Sequence, residues 1–485
     1  MHRILAGPAY PLYSVSQTRE LEARLIARLA PNTLMPRAGL AVAKLAQAIA
    51  PHAQTIWIAC GPGDNAGDGL EAAAQLQSWG KNCFVTWTGS TNKMSSDTAL
   101  ALQRARAAGV GWCNEAQEVP TKIDLCIDAL LGLGSQDRPI QGAIATQISQ
   151  LNALQAPTLA IDTPSGLNPQ SGAAMGLHVH AQHTLSLLTL KPGLFTGQGR
   201  DACGTIWLET LLGHEQAAAP AAQLLASPPQ PGRRHASHKG SYGDVAVIGG
   251  APGMAGAATL AGIAALHAGA GRVYVCLLDA LGAHIDPNQP ELMYRAADTL
   301  SLQSMVVVCG CGGGQAIAQE LDRLLALPTA LVLDADALNA IALNANWQNA
   351  LLSRKARHAD TVLTPHPLEA ARLLGCNTNE VQKDRLAAAQ ELSQRFDCCV
   401  ILKGSGSIIA APGQIPQVSP TGNARLASAG TGDVLAGLVG ARLAQGLPAF
   451  QAACASVYQH GQLADTWPEK TTLTAGRLAQ ALSFV

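Results

Sequence analysis

The sequence contains no run of roughly 18 uncharged apolar residues, which excludes a helix of membrane-spanning length. It also lacks a surplus of either charge. Only 13% of its residues are charged and the net charge is −1. Nucleic-acid binders neutralise phosphates with a basic excess, so that class is disfavoured. Its twelve cysteines include no pair at zinc-finger spacing with a partner cluster; Cys309-x-Cys311 stands alone. Free, mostly buried thiols in a reducing compartment are therefore expected. The opening MHRILAGPAYPLYS has no long apolar segment before its prolines. A soluble cytoplasmic protein, with no membrane and no nucleic-acid partner, is the expectation. Aromatic residues are few, at 4%, whereas alanine and glycine abound, a composition suited to close packing of helices on sheets.

At 485 residues the chain is too long for one ordinary core, so two domains are expected. Residues 213–234, GHEQAAAPAAQLLASPPQPGRR, read as the linker, being rich in Ala, Pro and Gln. On either side, short apolar runs alternate with helical patterns. TIWIAC, CFVTWT, IDLCIDAL, PTLAID, HTLSLLTL and GTIWLE precede the linker; GDVAVIGG, RVYVCLL, SMVVVCGCG, TALVLDADAL, TVLTPH, CCVILKG and SIIAA follow it. That rhythm predicts two α/β domains, each a mainly parallel sheet covered by helices. Ligands of such sheets bind beyond the carboxyl ends of the strands, and the polar glycine-rich motifs all fall there.

In the first half, GPGDNAGDG (Gly61–Gly69) lies between the strand TIWIAC and the helical pattern LEAAAQLQSWG. Its glycines permit close backbone approach, and a helix N-terminus attracts anions. Neither the dinucleotide fingerprint nor the P-loop spacing is met. A plain strand-to-helix turn would account for one cap such as Asp68, but not for Asp64, Asn65 and Asp68 together. Asp128 and Asp162 each close an apolar strand, within IDALLGLGSQDRP (Ile127–Pro139) and IDTPSG (Ile161–Gly166). Asn65, Asp128 and Ser165 offer hard oxygen donors for a cation.

The second half carries ASAGTGDVLAGLVGA at 427–441. Gly430, Thr431 and Gly432 precede an apolar helix, with Asp433 in its first turn. Free backbone N–H groups there form an anion hole for a phosphoryl group, and Asp433 is placed to take a proton from an attacking hydroxyl. The bland alternative is an Asp favoured by the helix dipole. Lys403, at the end of a strand and before a glycine turn, reads as a phosphate contact or a solvated lysine. His366, Pro367 and Glu369 mark a helix entry.

Two resemblances follow from these motifs. Residues 1–212 resemble the NAD(P)H-hydrate epimerase domain, whose GxGNNGGDG, DALxGxG and DxPSG signatures align with Gly61–Gly69, Asp128–Gly134 and Asp162–Gly166; Asp64 stands for the usual Asn and Ala66 for the usual Gly. That resemblance implies a Rossmann-like α/β/α sandwich. It implies substrate contacts at Asp64, Asn65, Ala66, Gly67 and Asp68. Further contacts would come from Gly132, Leu133, Gly134, Ser135, Gln136, Asp137 and Arg138, and from Asp162. Potassium would sit on Asn65, Asp128 and Ser165, and Asp162 is the candidate acid/base. Residues 235–485 resemble the ADP- or ATP-dependent NAD(P)H-hydrate dehydratases of ribokinase-like fold, through HKGxxG, GGxxGMxGAAxLA, LDADALN, TPHP, LKGxG and AGTGDVL in family order; Leu368 replaces the glycine of TPHPGE. That resemblance implies hydrate contacts at Ala257, Gly314, His366 and Asp433. It implies nucleotide contacts at Lys403, Gly404, Ser405, Gly406, Ser407 and Gly432.

The expected function is repair of hydrated nicotinamide cofactors: epimerisation of R- and S-NAD(P)HX, then dehydration of the S form at the expense of a nucleotide phosphate. Potassium, magnesium and ADP or ATP are the implied cofactors and co-substrate, with NAD(P)H hydrate as partner. Small Ala/Gly helix faces would permit a homo-oligomer. The rival expectation is a ribokinase-like small-molecule kinase with an N-terminal ligand-binding regulatory module; a scaffold would not need so many phosphate-style glycine loops.

Overall fold

The alternating apolar runs close into two separate sheets, and the chain divides accordingly into two units. One comprises Met1–Leu5 and Tyr10–Ala222, the other Ala6–Ala9 and Gln223–Val485. The computed structural model describes all residues except 91–93, 114–119, 121, 135–138, 175, 212–218, 230–231, 233–234, 283–284 and 483–485.

The first unit's sheet contains β1 (His2–Arg3), β2 (Thr55–Cys60), β3 (Asn82–Trp87), β4 (Gly111–Cys113), β5 (Leu125–Ala129), β6 (Thr158–Ile161), β7 (His183–Leu187) and β8 (Thr205–Glu209). Their order is β1-β8-β7-β6-β5-β2-β3-β4, parallel except for β1, which runs antiparallel to β8. From β2 the chain winds outward through β3 and β4, then returns to lay β5 on the other side of β2. The switch point therefore lies at the carboxyl ends of β2 and β5. Side chains alternate between two cores, as the period of a strand requires. Ile56, Ile58 and Cys60 face one core, Trp57 and Ala59 the other, and all are buried.

Helix α1 (Val15–Arg28) starts at Ser14, whose hydroxyl accepts from the Gln17 N–H at 3.1 Å while Gln17 reaches back to the Ser14 N–H at 2.9 Å. Helices α2 (Leu34–Ile49), α3 (Asp64–Ser78) and α4 (Ser96–Ala107) follow, and α5 (Gly142–Ala153) covers the opposite face. Helix α3 begins at Asp64 rather than at Leu70, where the sequence pattern places it. Gly67 and Gly69 tolerate the helix because packing leaves no room for a side chain: a Cβ would come within 2.5 Å of Met35 Sδ at the first and 2.6 Å of Ala129 Cβ at the second.

The second sheet contains β9 (Ala222–Leu224), β10 (Asp244–Gly249), β11 (Arg272–Leu277), β12 (Met293–Tyr294), β13 (Val306–Cys309), β14 (Leu331–Leu333), β15 (Thr361–Leu363), β16 (Cys399–Leu402), β17 (Ile408–Ala410) and β18 (Gln417–Val418). They lie in the order β12-β11-β10-β13-β14-β15-β16-β17-β18-β9. Pairing is parallel except where β17 meets β16 and β18. Strand β9 falls inside the stretch expected to be linker. Gln223 and Leu224 align with Gln417 and Val418, and Leu224 is buried, so part of 213–234 is a strand of this sheet. Here the switch point lies between β10 and β13, below the two glycine loops that follow them.

Helices α6 (Ala255–His267) and α7 (Ala335–Ala342) follow β10 and β14; α8 (Pro367–Leu374) and α9 (Arg385–Phe396) precede β16, and α10 (Thr431–Ala444) and α11 (Ala449–Asp465) follow β18. Helix α10 packs on α6 with almost no gap: a Cβ on Gly437 would lie 2.0 Å from the Ala261 carbonyl oxygen. Replacing Gly437 by Ala gains about 1 kcal/mol of helix propensity. The clash is with backbone, and overpacking costs about 1–3 kcal/mol. Gly437→Ala is therefore expected to lower the melting temperature; a transition at or above the parental one would contradict this packing.

Candidate functional sites

In the first unit, the segments leaving β2, β5, β6 and β7 enclose a cavity of ≈ 480 Å³. Asp64, Asn65 and Asp68 line it from the first turns of α3, Leu130 to Gly134 from the loop after β5, and Asp162 from the residue after β6. Thr18, Arg19 and Glu22 of α1 close the remaining side. Gly61 makes the loops meet, since a Cβ there would sit 1.6 Å from the Leu130 carbonyl oxygen.

Asp162 adopts a left-handed backbone, φ 64, which turns its carboxylate back toward β7. Its Oδ1 accepts from the Leu187 N–H at 3.0 Å and from the ammonium of Lys191, which is fully buried and also donates to the Leu187 carbonyl at 2.9 Å. The Asp64 carboxylate accepts from the Ser95 hydroxyl at 2.5 Å and the Thr98 hydroxyl at 3.0 Å, tying α3 to the start of α4. Burial pushes the Asp68 carboxyl well above the usual range, and the charges of Asp162, Glu22 and Asp64 add to the rise. Glu22 is raised in the same way, by burial first and then by Asp162 and Asp64. The cavity thus sets carboxyl groups of different proton affinity around one space, the requirement for acid and base chemistry at one pH.

Asn65, Asp128 and Ser165 converge on the peptide of Leu131. The Asn65 amide donates to the Leu131 carbonyl at 3.1 Å, and the Leu131 N–H donates to Ser165 Oγ at 2.9 Å. The Ser165 hydroxyl and N–H donate to the two oxygens of Asp128 at 2.6 and 2.8 Å. Despite these bonds, burial pushes the Asp128 carboxyl up to about 6. Ala66 and Gly67 differ from expectation. Both are buried in the core and neither lines the cavity, because the earlier helix start turns them inward. Ser135, Gln136, Asp137 and Arg138 lie outside the described residues.

In the second unit, Asp433 stands in the first turn of α10 behind Gly430, whose φ of 86 forms the N-cap. Lys403 leaves β16 and is not a solvated lysine: its ammonium donates to Asp334 Oδ1 at 2.7 Å. Burial lowers its proton affinity, but the carboxylates of Asp334 and Glu369 outweigh that and raise it overall. Lys403 Nζ also lies 3.3 Å from where a Cβ on Gly432 would be, which brings the turn after β16 to the N-terminus of α10. Asp334 caps β14, accepts from the Thr364 hydroxyl at 2.7 Å, and faces the Cys311 thiol at 3.9 Å. Cys311, Asp334 and Asp433 hold their ligand atoms within 4.8 Å of one another. Burial and the neighbouring Asp334 push Asp433 up to about 6, against the opposing pull of Cys311 and Lys403.

The glycine loop after β13 brings in the remaining expected contacts. Gly312 lies against Ala257, and the Gly314 N–H donates to Asp336 at 2.8 Å. His366 caps α8, its Nδ1 accepting from the N–H groups of Leu368 and Glu369 at 3.1 and 3.3 Å. Glu369 is more than a helix-entry residue: burial pushes it up to about 7, with Lys403 opposing and Asp334 adding to the rise. Gly404 and Ser405 are exposed on the turn, whereas Gly406 is buried and the Ser407 hydroxyl donates to the Gly404 carbonyl at 3.2 Å. His366 and Asp433 therefore both feel the charges of the Lys403–Asp334 pair, while Gly314 is tied to Asp336 and Ala257 lies beside Gly312. Sequence reasoning gave Glu369 only a helix entry and left Asp334, Lys191, Glu22 and Arg19 without a role. Asp334 and Lys191 carried a signal, each standing directly after or close behind an apolar strand.

Residues 31–193 match the family described as the YjeF-related protein N-terminus, and residues 245–483 the family described as NAD(P)H-hydrate dehydratase. The chain is 37% identical over 467 residues to the bifunctional NAD(P)H-hydrate repair enzyme Nnr of Escherichia coli strain K12, covering 92% of this chain and 87% of that one. The chain belongs to the bifunctional NAD(P)H-hydrate repair enzyme family. The enzyme of that name from Coxiella burnetii is 35% identical, with 95% of both chains covered. An ADP-dependent (S)-NAD(P)H-hydrate dehydratase of Neisseria meningitidis is 43% identical over 254 residues, spanning 51% of this chain and 84% of its own. In this family member the first unit carries the YjeF-related match and the second the dehydratase match; of the first cavity's lining, Thr18, Arg19 and Glu22 precede the matched residues.

Lys191 is the buried cation on which the first site's geometry rests. Removing one partner of a buried pair costs about 3–5 kcal/mol. Lys191→Met is therefore expected to destabilise the first unit strongly, and Lys191→Met with Asp162→Asn to regain a large part of the loss. Thermal unfolding of both variants checks this; a single variant as stable as the parent would contradict it.

Proposed function

We propose that the chain repairs hydrated nicotinamide cofactors with two activities, one in each unit. The first interconverts the R and S hydrates of NAD(P)H; the second dehydrates the S hydrate to NAD(P)H using an adenine nucleotide. The observation that carries this reading is the pairing, in one chain, of a carboxyl-lined cavity in the YjeF-related half with an Asp behind a helix-terminal anion hole in the dehydratase half. ADP is the proposed nucleotide, supported by the name of the Neisseria relative.

In the second unit, the free N–H groups at the start of α10 receive the transferring phosphoryl group. Asp433 takes the proton from the C6 hydroxyl as its oxygen bonds to the terminal phosphorus of the nucleotide, and the bond from that phosphorus to its bridging oxygen breaks, releasing the nucleotide one phosphate shorter. The ring nitrogen lone pair then expels phosphate from C6, and loss of the neighbouring ring proton restores the dihydronicotinamide. Lys403 holds its charge beside Gly432, in place to meet nucleotide phosphate, while Gly404 to Ser407 form the adjoining turn. Ala257, Gly314 and His366 orient the hydrate. The magnesium that accompanies a nucleotide would be held chiefly by the phosphate oxygens, whose charge it would neutralise.

In the first unit, Asp162 is the proposed acid/base, held in place by Lys191, as the bond between C6 and its hydroxyl is opened and remade. Asp64, Asn65, Asp68, Gly132, Leu133 and Gly134 bind the nucleotide hydrate around it. The oxygen-only donor set of Asn65, Asp128 and Ser165 fits a potassium ion, which would order the loop through Leu131.

Two substitutions separate the activities. Asp433→Asn is expected to lower dehydration of S hydrate by about 10²–10⁴, with nucleotide affinity and melting temperature near parental. Because the Asp433 carboxyl is raised to about 6 and the ionised form is the base, parental dehydration should rise with pH through about 6 and level above it. Near-parental turnover in the variant, or a flat profile across that range, would assign the proton elsewhere. Asp162→Asn is expected to abolish conversion of R hydrate while leaving dehydration of pure S hydrate intact; conversion of R hydrate at the parental rate would make Asp162 only structural.

A further inference from the structure

The dehydratase half sets a thiol, which phosphoryl transfer does not call for, beside the carboxylate proposed above as the base. Cys311, at the start of the glycine loop after β13, is fully buried and points its sulfur at Asp334 Oδ2, 3.9 Å away. Asp334 gives its other oxygen to Lys403 and Thr364. Asp433, from α10, brings a carboxylate oxygen within 4.8 Å of both. Three elements distant in sequence thus converge a thiol and two carboxylate oxygens on one point, with Lys403 serving only the outer oxygen of Asp334. Two carboxylates held this close repel unless a proton or a cation lies between them.

We propose that Cys311, Asp334 and Asp433 form a binding site for a thiophilic divalent cation, with Zn²⁺ the fitting ion, and that its occupation shuts off the dehydratase. Tetrahedral zinc with Zn–S of about 2.3 Å and Zn–O of about 2.0 Å separates sulfur from oxygen by about 3.5 Å. The observed 3.9 Å needs only a small closure. Three protein ligands leave the fourth position to water. The thiol selects against Mg²⁺, which prefers oxygen ligands throughout. Binding forms a Zn–S bond and releases the Cys311 proton to solvent. It also engages the carboxylate proposed above as the base, so the inference of inhibition rests on that reading of Asp433, whereas the site itself does not.

The full-length protein titrated with Co²⁺ reports the site directly, through a thiolate-to-metal charge-transfer band in the near ultraviolet. One equivalent of ion is expected to develop the band in the parent and not in Cys311→Ala. Removal of a group that merely orients a metal ligand costs roughly 10–100-fold in affinity; loss of the ligand itself should weaken Zn²⁺ binding by at least that much. Stoichiometric Zn²⁺ should then inhibit dehydration of S hydrate in the parent, be reversed by chelation, and leave epimerisation and the Cys311→Ala dehydratase unaffected. Cys311→Ser, which keeps the size of the side chain, replaces the alanine variant if that variant does not fold. No band in the parent, or a band and zinc sensitivity unchanged by both substitutions, would overturn the site. A band lost with Cys311 but dehydration untouched by bound Zn²⁺ would overturn the inhibition and the assignment of the proton to Asp433.

Discussion

Each unit depends on one lysine, buried in the first and partly buried in the second, beside an aspartate at the end of a parallel strand. Lys191 pairs with Asp162 after β6, and Lys403 pairs with Asp334 after β14. Parallel sheets gather the polar chemistry of their loops at one edge, and here that edge is crowded with acids. Asp64, Asp68, Asp162 and Glu22 surround one cavity; Asp334, Asp336, Glu369 and Asp433 surround the other site. Without an internal cation, such carboxyl groups would repel and draw water into the sheet edge. The lysine fixes one carboxylate, while Glu22, Asp68, Glu369 and Asp433 hold protons more tightly than they would in water. Acid and base groups of different strength then coexist at each sheet edge, and that is the chemical resource on which the two proposed activities draw.

The glycines supply the geometry for this crowding. Gly61 brings the loop after β2 onto Leu130, and Gly310 brings the loop after β13 onto Asp334, where a Cβ would lie 2.0 Å from the carbonyl oxygen. A larger residue at either position would hold the acidic loops apart and dissolve the site. The scarcity of aromatics belongs to the same design, since small alanine and glycine faces let helices approach the sheet closely enough to aim their first turns at the ligand.

Much of this was legible in the sequence. The βαβ rhythm gave both sheets, and Asp128, Asp162, Lys403 and Asp433 fell at strand ends or a helix start as their neighbours predicted. What escaped notice has physical causes. The helical character of Asp64–Gly69 was hidden because glycines have poor intrinsic helix propensity, and only tertiary packing against Met35 and Ala129 makes them suitable. Helix α1, which closes the first cavity with Arg19 and Glu22, precedes every motif and advertises nothing but a capping box. Glu369 was masked by its own capping role, which accounts for the residue before its buried carboxyl is considered. Strand β9 was masked by the Ala- and Pro-rich composition around it, and its pairing with β18 becomes visible only in the folded sheet.

The central claim is that one chain performs both steps in sequence. The most direct test is a mixture of the R and S hydrates of NADH incubated with the full-length protein, potassium, magnesium and ADP, or ATP in parallel. The recovered absorbance of reduced nicotinamide is then compared with the total hydrate supplied. The account predicts recovery of the whole mixture, the R form included, at a rate set by the protein. Recovery that stops at the share of the S form would contradict the epimerase, and no recovery with either nucleotide would contradict the dehydratase.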